Sequence, residues 1–460
     1  METHLPSDLL ISLKSTKGFD QKDFIAAHQI SNQITSVRFN PNKKFNIGDS
    51  ALDVAEKIPW CNNGFYLHKR PSFTLDPFFH AGAYYVQEAS SMFLEEVLKQ
   101  TCQLDHSLKV LDLCAAPGGK STLMQSLLSS DSFLVSNEVI KTRVNILNEN
   151  ITKWGAANIV VSNNDPKDFQ RLPNYFDIIV VDAPCSGSGL FRKDPTAVTE
   201  WSPDNVMLCS QRQQRILTDV LPALKTNGVL IYSTCSYSME ENEEVVDWLI
   251  ENHELEGINI NINDEWGITQ TTSAKHKAPG YRFYPDKVKG EGFFISTFRK
   301  KNESDSYHTT KPKVISFEKI SQTDLSNLKQ WVNNEIPEIH FVKWKDDIIA
   351  LPNSLLLESA TLQNALYIKK MGINIGSMIR GELIPSHQLA LSNILSPYIA
   401  WIEFDSAKAL DYLRLNAIST ENSQLGWHIV RFCGISLGFI KILHNRINNY
   451  YPKEWRILHK

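Results

Sequence analysis

Short apolar runs alternate with helical stretches between Leu108 and Phe298, and this alternation limits the fold more than any other feature of the chain. Runs of this length, rich in β-branched residues and bounded by turn residues, are typical of strands covered on both faces. The runs are Lys109–Cys114, Phe133–Glu138, Asn158–Ser162, Asp177–Asp182 and Gly228–Ser233. Helical patterns separate them at Gly119–Ser129, Lys141–Trp154 and Asp204–Leu224. Right-handed βαβ units therefore predict an α/β fold with a doubly wound, mostly parallel sheet.

The 460 residues predict two to three domains around this sheet. We expect a mixed α/β N-terminal cap over residues 1–100, in which Asp53–Ile58 forms a short helix ended by Pro59. The sheet domain spans 101–300, and a polar linker spans 301–313. A connecting α/β region covers 314–390, with no chemical motif. Residues 391–460 end in two strands, Trp427–Phe432 and Leu437–Leu443, joined through Gly434–Ser436.

Composition excludes several classes of protein. With 42% hydrophobic residues the chain can bury a large core. It lacks an apolar run of about 18 residues, so a membrane span is not expected. The seven cysteines form no CxxC pair, which argues against a disulfide framework, a zinc ribbon or another metal site. Together with an N-terminus unlike a signal peptide, this predicts a cytoplasmic protein.

Positive charge is concentrated near the C-terminus although the net charge is −4. The last thirty residues carry Glu454 as their one acidic residue and six basic residues, namely Arg431, Lys441, Arg446, Lys453, Arg456 and Lys460. Such a patch fits an RNA partner, but charge alone equally fits a solvated surface. Aromatic residues recur in the cap at Trp60, Phe65, Tyr66, Phe73, Phe78, Phe79, Tyr84 and Tyr85. We expect them to fill a core rather than to stack on bases.

The stretch Asp112–Ser121, called here the cofactor loop, joins the first strand of the sheet to a helix. Its small residues and paired glycines let backbone approach a ligand closely at the helix N-terminus. The loop ends like a P-loop, but Cys114 stands where that motif needs glycine, so an ATPase is excluded. Glu138 can accept hydrogen bonds from ribose hydroxyls, and Asp165 can border an adenine. S-adenosylmethionine fits this spacing better than a dinucleotide does.

Asp182, Cys185 and Cys235 follow the ends of two strands of the sheet. In a parallel sheet those ends form the ligand-binding crevice, so we expect the carboxylate and both thiols to converge there. A thiol near backbone N–H groups and cations becomes a nucleophile more readily. We expect the other cysteines Cys61, Cys102, Cys209 and Cys433 to be inert buried residues.

Three stretches together resemble the Sun/Fmu (NSUN-type) RNA cytosine-C5 methyltransferases, namely Leu111–Ser121, Asp182–Gly187 and Ser233–Tyr237. The likeness continues through Phe191–Pro195, Gln211–Gln214, Gly290–Phe294 and Tyr84–Met92. The tail Asn448–Arg456 is similar to the RsmF branch of that family. This resemblance implies a Rossmann-like class I methyltransferase domain and a C-terminal PUA-like RNA-binding domain. It also implies methylation of 16S ribosomal RNA, or of the small ribosomal subunit, by a bacterial enzyme that we expect to be a monomer. Glu138 stands where many relatives carry Asp, and either residue can hold a ribose.

The resemblance assigns roles to individual residues. Cys235 adds to C6 of cytosine, Asp182 holds the N3/N4 edge, Cys185 assists release and Lys120 lies near the methyl donor or the base. The residues expected to bind S-adenosylmethionine are Cys114, Ala115, Ala116, Pro117, Gly118, Gly119, Lys120, Glu138, Asp165 and Asp182. Three alternatives stay open: a DNA cytosine-C5 methyltransferase with Cys185 as nucleophile, a tRNA methyltransferase, and a catalytically inactive ribosome-assembly factor.

Overall fold

The computed structural model describes residues 5–29, 34–301, 317–318, 320–333, 335, 338–420 and 424–458. Apart from Lys301, the predicted linker at 301–313 lies outside the described residues. None of the helices in these ranges combines the length and the hydropathy that a span across a bilayer requires. Among the same residues, no group of three or more His, Cys, Asp and Glu side chains is arranged to hold a metal ion.

The N-terminal cap contains a small antiparallel sheet flanked by short helices. Its elements are α1 (Ser7–Ser12), α2 (Gln21–Gln29), β1 (Thr35–Phe39), β2 (Val54–Lys57), β3 (Gly64–Leu67), α3 (Pro77–His80), β4 (Tyr84–Val86) and α4 (Leu94–Thr101). The four strands lie in the order β2-β3-β1-β4. Most of the aromatic residues expected to fill a core do so, since Trp60, Tyr66, Phe73, Phe78 and Tyr84 are at most 9% exposed.

The helix predicted over Asp53–Ile58 is wrong, because Val54–Lys57 is the edge strand β2. Val54 lies opposite Leu67 and Lys57 opposite Phe65, with an irregular register between them. Pro59 leaves room for less than two helical turns, and so short a helix is unstable by itself. Pairing with β3 gives the same backbone N–H and C=O groups hydrogen-bond partners, so the segment forms a strand rather than a helix.

The central sheet confirms the predicted Rossmann-like fold. Its elements are β5 (Lys109–Asp112), α5 (Gly119–Leu127), β6 (Phe133–Asn137), α6 (Lys141–Trp154), β7 (Ile159–Ser162), β8 (Phe176–Asp182), α7 (Pro195–Glu200), α8 (Pro203–Val220), β9 (Leu224–Thr234), α9 (Glu243–Asn252), β10 (Leu255–Gly257), β11 (Thr269–Thr272), β12 (Pro279–Phe283) and β13 (Phe293–Lys300). Strands β9-β8-β5-β6-β7 are parallel neighbours in that order, and β13, β12 and β11 extend the sheet antiparallel beyond β9.

Neighbouring residues of each parallel strand face opposite sides of this sheet. Val110, for example, lies in a core with α4, α5 and α6, whereas Leu111 lies in a core with α8 and α9. Strands buried on both faces carry apolar residues on both sides, which explains why their sequences do not alternate between apolar and polar residues.

The connecting region forms a four-stranded antiparallel sheet and also extends the central one. Its elements are α10 (Gln322–Lys329), β14 (Ile339–Trp344), β15 (Asp347–Pro352), α11 (Asn353–Ala365), β16 (Ile368–Met371), β17 (Ile373–Ile379), β18 (Glu382–Pro385) and α12 (His387–Leu391). Strands β14-β15-β17-β18 form the separate sheet. Strand β16 instead pairs antiparallel with β7 at the edge of the central sheet. Helix α11 packs Leu355 and Leu362 into the core that holds Leu111.

The C-terminal domain is a four-stranded sheet with one helix. Its elements are β19 (Trp401–Glu403), α13 (Ser406–Arg414), β20 (Gly426–Phe432), β21 (Ile435–Leu443) and β22 (Arg446–Asn449). The predicted hairpin is β20–β21, but its turn is Cys433–Gly434, where both residues have positive φ, as tight hairpin turns require. Phe432 packs on Phe78 of the cap with ring centroids 5.0 Å apart.

Candidate active site

Two cysteine-bearing loops meet beyond the carboxyl ends of β8 and β9. These strands are parallel neighbours, and Asp182 pairs in register with Ser233. The structure brings the Sγ atoms of Cys185 and Cys235 to 2.8 Å from each other as free thiols. Gly189 allows the two loops to approach each other this closely. Its N–H donates to the Cys235 carbonyl at 2.8 Å, and a Cβ at this position would lie only 2.7 Å from the same oxygen.

Asp182 and Lys120 form an ion pair beside the thiols, with 2.7 Å between Oδ2 and Nζ. The Ser233 hydroxyl donates to Asp182 Oδ1 at 2.7 Å, so both carboxylate oxygens have partners. Burial lowers the pKa of Lys120, but the charge of Asp182, the hydrogen bond to it, and the nearby Asp112 and Cys235 together outweigh burial, so the pKa of Lys120 is raised. Lys120 also lies 5.2 Å from the centre of the Phe293 ring. The pair supplies a cation and an oriented carboxylate at one point of the site.

A cavity of about 390 Å³ opens onto these side chains. The residues that line it include Tyr85, Gln87, Cys114, Ala115, Ala116, Pro117, Gly119, Lys120, Arg143, Asp182, Cys235, Glu291 and Phe293. Of the predicted site residues described in the structure, Gly118, Glu138, Asp165 and Cys185 do not line it. Cys235 therefore faces the cavity, and Cys185 lies behind it.

The cap holds the cofactor loop in place from outside the cavity. Arg38 is 2% exposed and donates to Gln87 Oε1 at 2.9 Å, to Thr122 Oγ1 at 2.6 Å and to the Gly119 carbonyl at 3.2 Å. Gly118 has φ of 118°, a conformation that a residue with a Cβ rarely adopts. Gly119 begins α5, so the N-terminus of that helix borders the cavity.

The residues around the cofactor loop fit S-adenosylmethionine. Glu138 is 3% exposed and accepts from the Ile140 N–H at 2.8 Å through Oε1. Its buried Oε2 accepts no hydrogen bond from the part of the chain that the structure describes, and it lies 3.4 Å from the Arg143 guanidinium. A ribose hydroxyl would satisfy that orphaned acceptor. Asp165 is placed differently, since it caps the 3₁₀ helix Pro166–Arg171 by accepting from the Lys167 N–H at 3.2 Å. Its contact with an adenine stays a prediction.

The two thiols differ in their environments. A hydrogen bond with Cys235, followed by burial, raises the pKa of Cys185 well above its usual value. Cys185 is therefore a neutral thiol at physiological pH, able to donate its proton to the Cys235 sulfur. A thiolate at Cys235 would be stabilised by that hydrogen bond and would face the cavity.

The sequence analysis assigned no role to three residues of the site: Glu241 and Gln213, which hold the two cysteine-bearing loops, and Glu291, which lines the cavity. Glu241 is fully buried and lies between the two loops, with Gln213 donating to it at 3.0 Å. Gln213 falls in the Gln211–Gln214 stretch that carries the family resemblance, which was a signal. Glu241 stands among three other glutamates in Glu240–Glu244, a run that is typical of a solvated helix start. Glu291 lines the cavity, but its buried carboxylate oxygens have no hydrogen-bond donor among the described residues.

The prediction of four inert, buried cysteines is wrong for Cys433. Its side chain is exposed because it lies in the β20–β21 turn with φ of 46°. Cys61 and Cys209 are buried, and Cys61 donates to Glu95 Oε2 at 3.1 Å. Cys102 is partly buried.

Family models match most of the chain. The model for 16S rRNA methyltransferase RsmB/F matches residues 100–299. The model for the N-terminal domain of 16S rRNA methyltransferase RsmF matches residues 5–89, and that for the RsmF PUA domain matches residues 401–457. The connecting region lies between the matched ranges 100–299 and 401–457.

Individual proteins are similar over almost the whole length. Ribosomal RNA small subunit methyltransferase F of Vibrio cholerae is 31% identical over 452 residues, which cover 94% of this chain and 93% of that protein. The enzyme of the same name from Shewanella piezotolerans is 27% identical, over 87% of this chain and 85% of its own length.

Solved structures resemble about two thirds of the chain. A methyltransferase homolog protein from Pyrococcus horikoshii has a TM-score of 0.51 and 28% identity, covering 64% of this chain and 100% of its own. The structure of NSun6 from Pyrococcus horikoshii with SFG has a TM-score of 0.54 at 19% identity, covering 66% and 100%. The second likeness concerns the fold alone. Three matched domains in order and a relative at 31% identity over nearly the full length show that this chain belongs to the RsmF family of S-adenosylmethionine-dependent 16S rRNA methyltransferases.

Proposed function

We propose that this protein methylates C5 of a cytidine in 16S ribosomal RNA and that Cys235 is the nucleophile. The observation that carries the proposal is the position of Cys235, which faces the cavity beside the Lys120–Asp182 pair while Cys185 lies behind it. Family membership supports the RNA substrate, and the relatives that match are small subunit enzymes by name.

Cytosine C5 is a weak nucleophile, and the residues of the cavity can activate it. Addition of the Cys235 sulfur to C6 forms an S–C6 bond and moves the C5–C6 electrons toward C5. Asp182 holds the N3/N4 edge and favours protonation of N3 as that charge develops. When bound, S-adenosylmethionine supplies a methyl group on a sulfonium, which C5 takes as its new substituent.

Release requires that a water molecule takes the proton from C5, that the electrons of that C–H bond restore the C5–C6 double bond, and that the S–C6 bond breaks. The electron pair of that bond returns to Cys235, whose sulfur then lies 2.8 Å from the protonated thiol of Cys185. A hydrogen bond from Cys185 stabilises the departing thiolate, which makes Cys235 a better leaving group. The same hydrogen bond would stabilise the thiolate before attack.

The target nucleotide must leave any base stack to reach this cavity, at a cost of a few kcal/mol in a duplex. We propose that the C-terminal domain holds the surrounding RNA. Its residues Arg446, Lys453 and Arg456 are exposed, and the Arg431 guanidinium lies 4.9 Å from the ring centre of the half-exposed Trp401. Cations beside an aromatic face suit phosphate and base contacts. We propose further that the enzyme acts as a monomer in the cytoplasm, where ribosomal subunits are assembled.

Methyl transfer from labelled S-adenosylmethionine tests the proposal. Substrates are 16S RNA, assembled small subunits and tRNA from a strain lacking the gene, with bisulfite mapping of the product. One new 5-methylcytidine in 16S RNA, lost in Cys235→Ala, is expected. Cys185→Ala should accumulate a covalent RNA adduct that survives denaturing electrophoresis.

Three outcomes would overturn parts of this proposal. Activity that survives Cys235→Ala but disappears in Cys185→Ala would reverse the roles of the thiols, as in the DNA-type mechanism. Methyl transfer to tRNA but not to 16S RNA would show that the substrate is tRNA rather than 16S RNA. Binding of S-adenosylmethionine without transfer to any RNA would favour an inactive assembly factor.

A further inference from the structure

Glu241 lies in the 3₁₀ turn Met239–Glu241, between β9 and α9, and is fully buried. It does not line the active-site cavity formed by the described residues, so it does not touch a substrate placed there. We propose that Glu241 is a positioning residue that clamps the two cysteine loops together and sets the separation of their sulfur atoms. This role rests on the proposed function, because it concerns the same two thiols.

The carboxylate of Glu241 binds both loops at once. The residue after Cys185 is Ser186, which donates through its N–H to Oε1 at 2.8 Å and through its hydroxyl to Oε2 at 2.5 Å. The residue after Cys235 is Ser236, whose hydroxyl donates to Oε2 at 2.5 Å. One side chain therefore reaches the neighbours of both sulfurs, and the serine hydroxyls lie 3.2 Å from each other.

The carboxylate is itself held rigidly. Gln213 of α8 donates to Oε1 at 3.0 Å and also to the Pro184 carbonyl at 3.0 Å, just before Cys185. The Tyr232 hydroxyl lies 2.9 Å from Gln213 Oε1 and 2.6 Å from the Glu241 carbonyl, which fixes the orientation of the glutamine amide. Next along the chain, Asn242 accepts from the Thr234 hydroxyl at 2.6 Å and donates to the Ser236 carbonyl at 2.8 Å.

This network requires an ionised glutamate rather than a glutamine. Four donors point at its two oxygens, and a carboxylate can accept all four, whereas an amide would present two N–H groups to some of them. Burial raises the pKa of Glu241, while the bonds from Ser186, Ser236 and Gln213 oppose that rise. Reacting groups in active sites must be held to within about 0.5 Å, and misplacement by about 1 Å can slow a reaction about 100-fold.

Glu241→Gln tests the clamp, with Glu240→Gln as the matched control. Glu240 is partly exposed, its backbone carbonyl accepts from the Ser210 hydroxyl, and its side chain has no hydrogen bond with the described residues. We expect kcat to fall about 100-fold in Glu241→Gln while the Kd for S-adenosylmethionine stays within about twofold. Glu240→Gln should have the same kcat and the same Kd for S-adenosylmethionine as the wild-type protein. Equal kcat values in the wild-type protein and both variants would overturn the proposal. A fall in activity of Glu241→Gln that is matched by an equally large rise in its Kd for S-adenosylmethionine would overturn it too.

Two milder variants test the two cysteine loops one at a time. They also keep the test valid if Glu241→Gln fails to fold. Ser186→Ala loosens the Cys185 loop, so we expect the covalent RNA adduct to accumulate as in Cys185→Ala. Ser236→Ala loosens the Cys235 loop and should slow adduct formation itself. Wild-type kinetics in both serine variants would contradict the clamp.

Thiol oxidation tests the clamp without RNA and thus independently of the proposed function. Diamide takes two electrons and two protons from a thiol pair and leaves a disulfide. The Cys185–Cys235 disulfide should form at least about tenfold more slowly in Glu241→Gln than in wild type, as measured by mass spectrometry. Equal rates would overturn the clamp even if RNA methylation were confirmed. Failure of RNA methylation with unequal oxidation rates would reject only the proposed function.

Discussion

Asp177 and Asp182 lie at opposite ends of β8, and each forms an ion pair with a lysine at nearly the same distance. Asp177 lies 2.6 Å from Lys225 at the start of the strand, and Asp182 lies 2.7 Å from Lys120 at its end. Only the second pair borders the cavity. At the scale of single residues, therefore, it is the position along the strand that gives a carboxylate a chemical task.

This comparison yields a matched pair of variants. Asp182→Asn should lower kcat by about 100- to 10,000-fold, because it removes the group that stabilises protonation of N3. Asp177→Asn should leave kcat within about twofold, since its ion pair lies at the far end of the strand. Single-turnover methyl transfer measures the rate of the chemical step in both variants. Similar losses in the two variants would mean that folding, rather than chemistry, depends on these carboxylates.

A second prediction concerns the pH dependence of thiol reactivity. The hydrogen bond with Cys235 is the largest cause of the raised pKa of Cys185, and burial is the next. Cys235→Ala removes the first cause, so the pKa of Cys185 should fall and its alkylation by iodoacetamide should begin at lower pH. Mass spectrometry against pH measures this, with the exposed Cys433 as an internal reference. An unchanged or higher midpoint for Cys185 would contradict the assignment of the thiol proton.

At the scale of elements, local pattern predicted those strands whose burial is complete. Each of β5 to β9 contains a continuous apolar run, such as Ile178–Val181 in β8 and Val229–Tyr232 in β9, so these strands can be identified without knowledge of their neighbours. Strand β16 has no such signal, since Ile368–Met371 contains two lysines. Lys370 is nevertheless buried, and its ammonium donates to Gln388 Oε1. Strand β2 was mistaken for a helix because its partner β3 lies outside its own sequence window. Glu241 could not be found in a run of glutamates, because its donors come from three separate stretches.

Gly82 shows how closely the cap contacts the methyltransferase domain. Its φ is +67°, and a Cβ there would lie 2.0 Å from the carbonyl oxygen of Lys153 in α6. Gly434 has a similar φ of +78°, but no atom lies within 4 Å of its Cβ position. Gly434→Ala should therefore cost about 1–2 kcal/mol from backbone strain alone. Gly82→Ala should cost about 1–3 kcal/mol more, from the clash with α6.

Urea unfolding of the two glycine variants measures this difference in the free energy of unfolding. Equal destabilisation would mean that the cap moves away from α6 without cost. Gly48→Ala serves as a neutral control, because its φ is not in the left-handed region and its Cβ position has ordinary contacts at 3.6 Å.

At the scale of the whole molecule, the cap joins the catalytic and C-terminal domains. Arg38 ties the cap to the cofactor loop, and Phe78 packs on Phe432 of the C-terminal domain. The connecting region in turn shares one hydrophobic core with the C-terminal domain, through Ile373 and Ile375 against Ile429 and Phe439. RNA held by the C-terminal domain would thus have a fixed position relative to the cavity.

Arg38→Met tests whether the cap shapes the cofactor site. The substitution keeps most of the apolar volume but leaves Gln87 Oε1 and the Gly119 carbonyl without this donor, at about 1–3 kcal/mol for each unsatisfied group. We expect the Kd for S-adenosylmethionine to rise about tenfold, which calorimetry would measure. Arg70→Met, at an exposed position of the same cap, should bind the cofactor like wild type. Unchanged affinity in Arg38→Met would mean that the cofactor loop keeps its shape without the cap.

Strand β16 and helix α11 have a consequence for synthesis of the protein on the ribosome. The residues proposed to bind the cofactor and to carry the chemistry are all translated by residue 300. At that moment the edge of β7 is still unpaired, and one face of the sheet still lacks α11. An open strand edge beside uncovered apolar surface is a site for aggregation. Since β16 ends at Met371, the nascent chain must remain protected until that residue has left the exit tunnel. A messenger RNA broken between the codons for residues 300 and 371 would yield a chain with every proposed catalytic residue and an incomplete sheet.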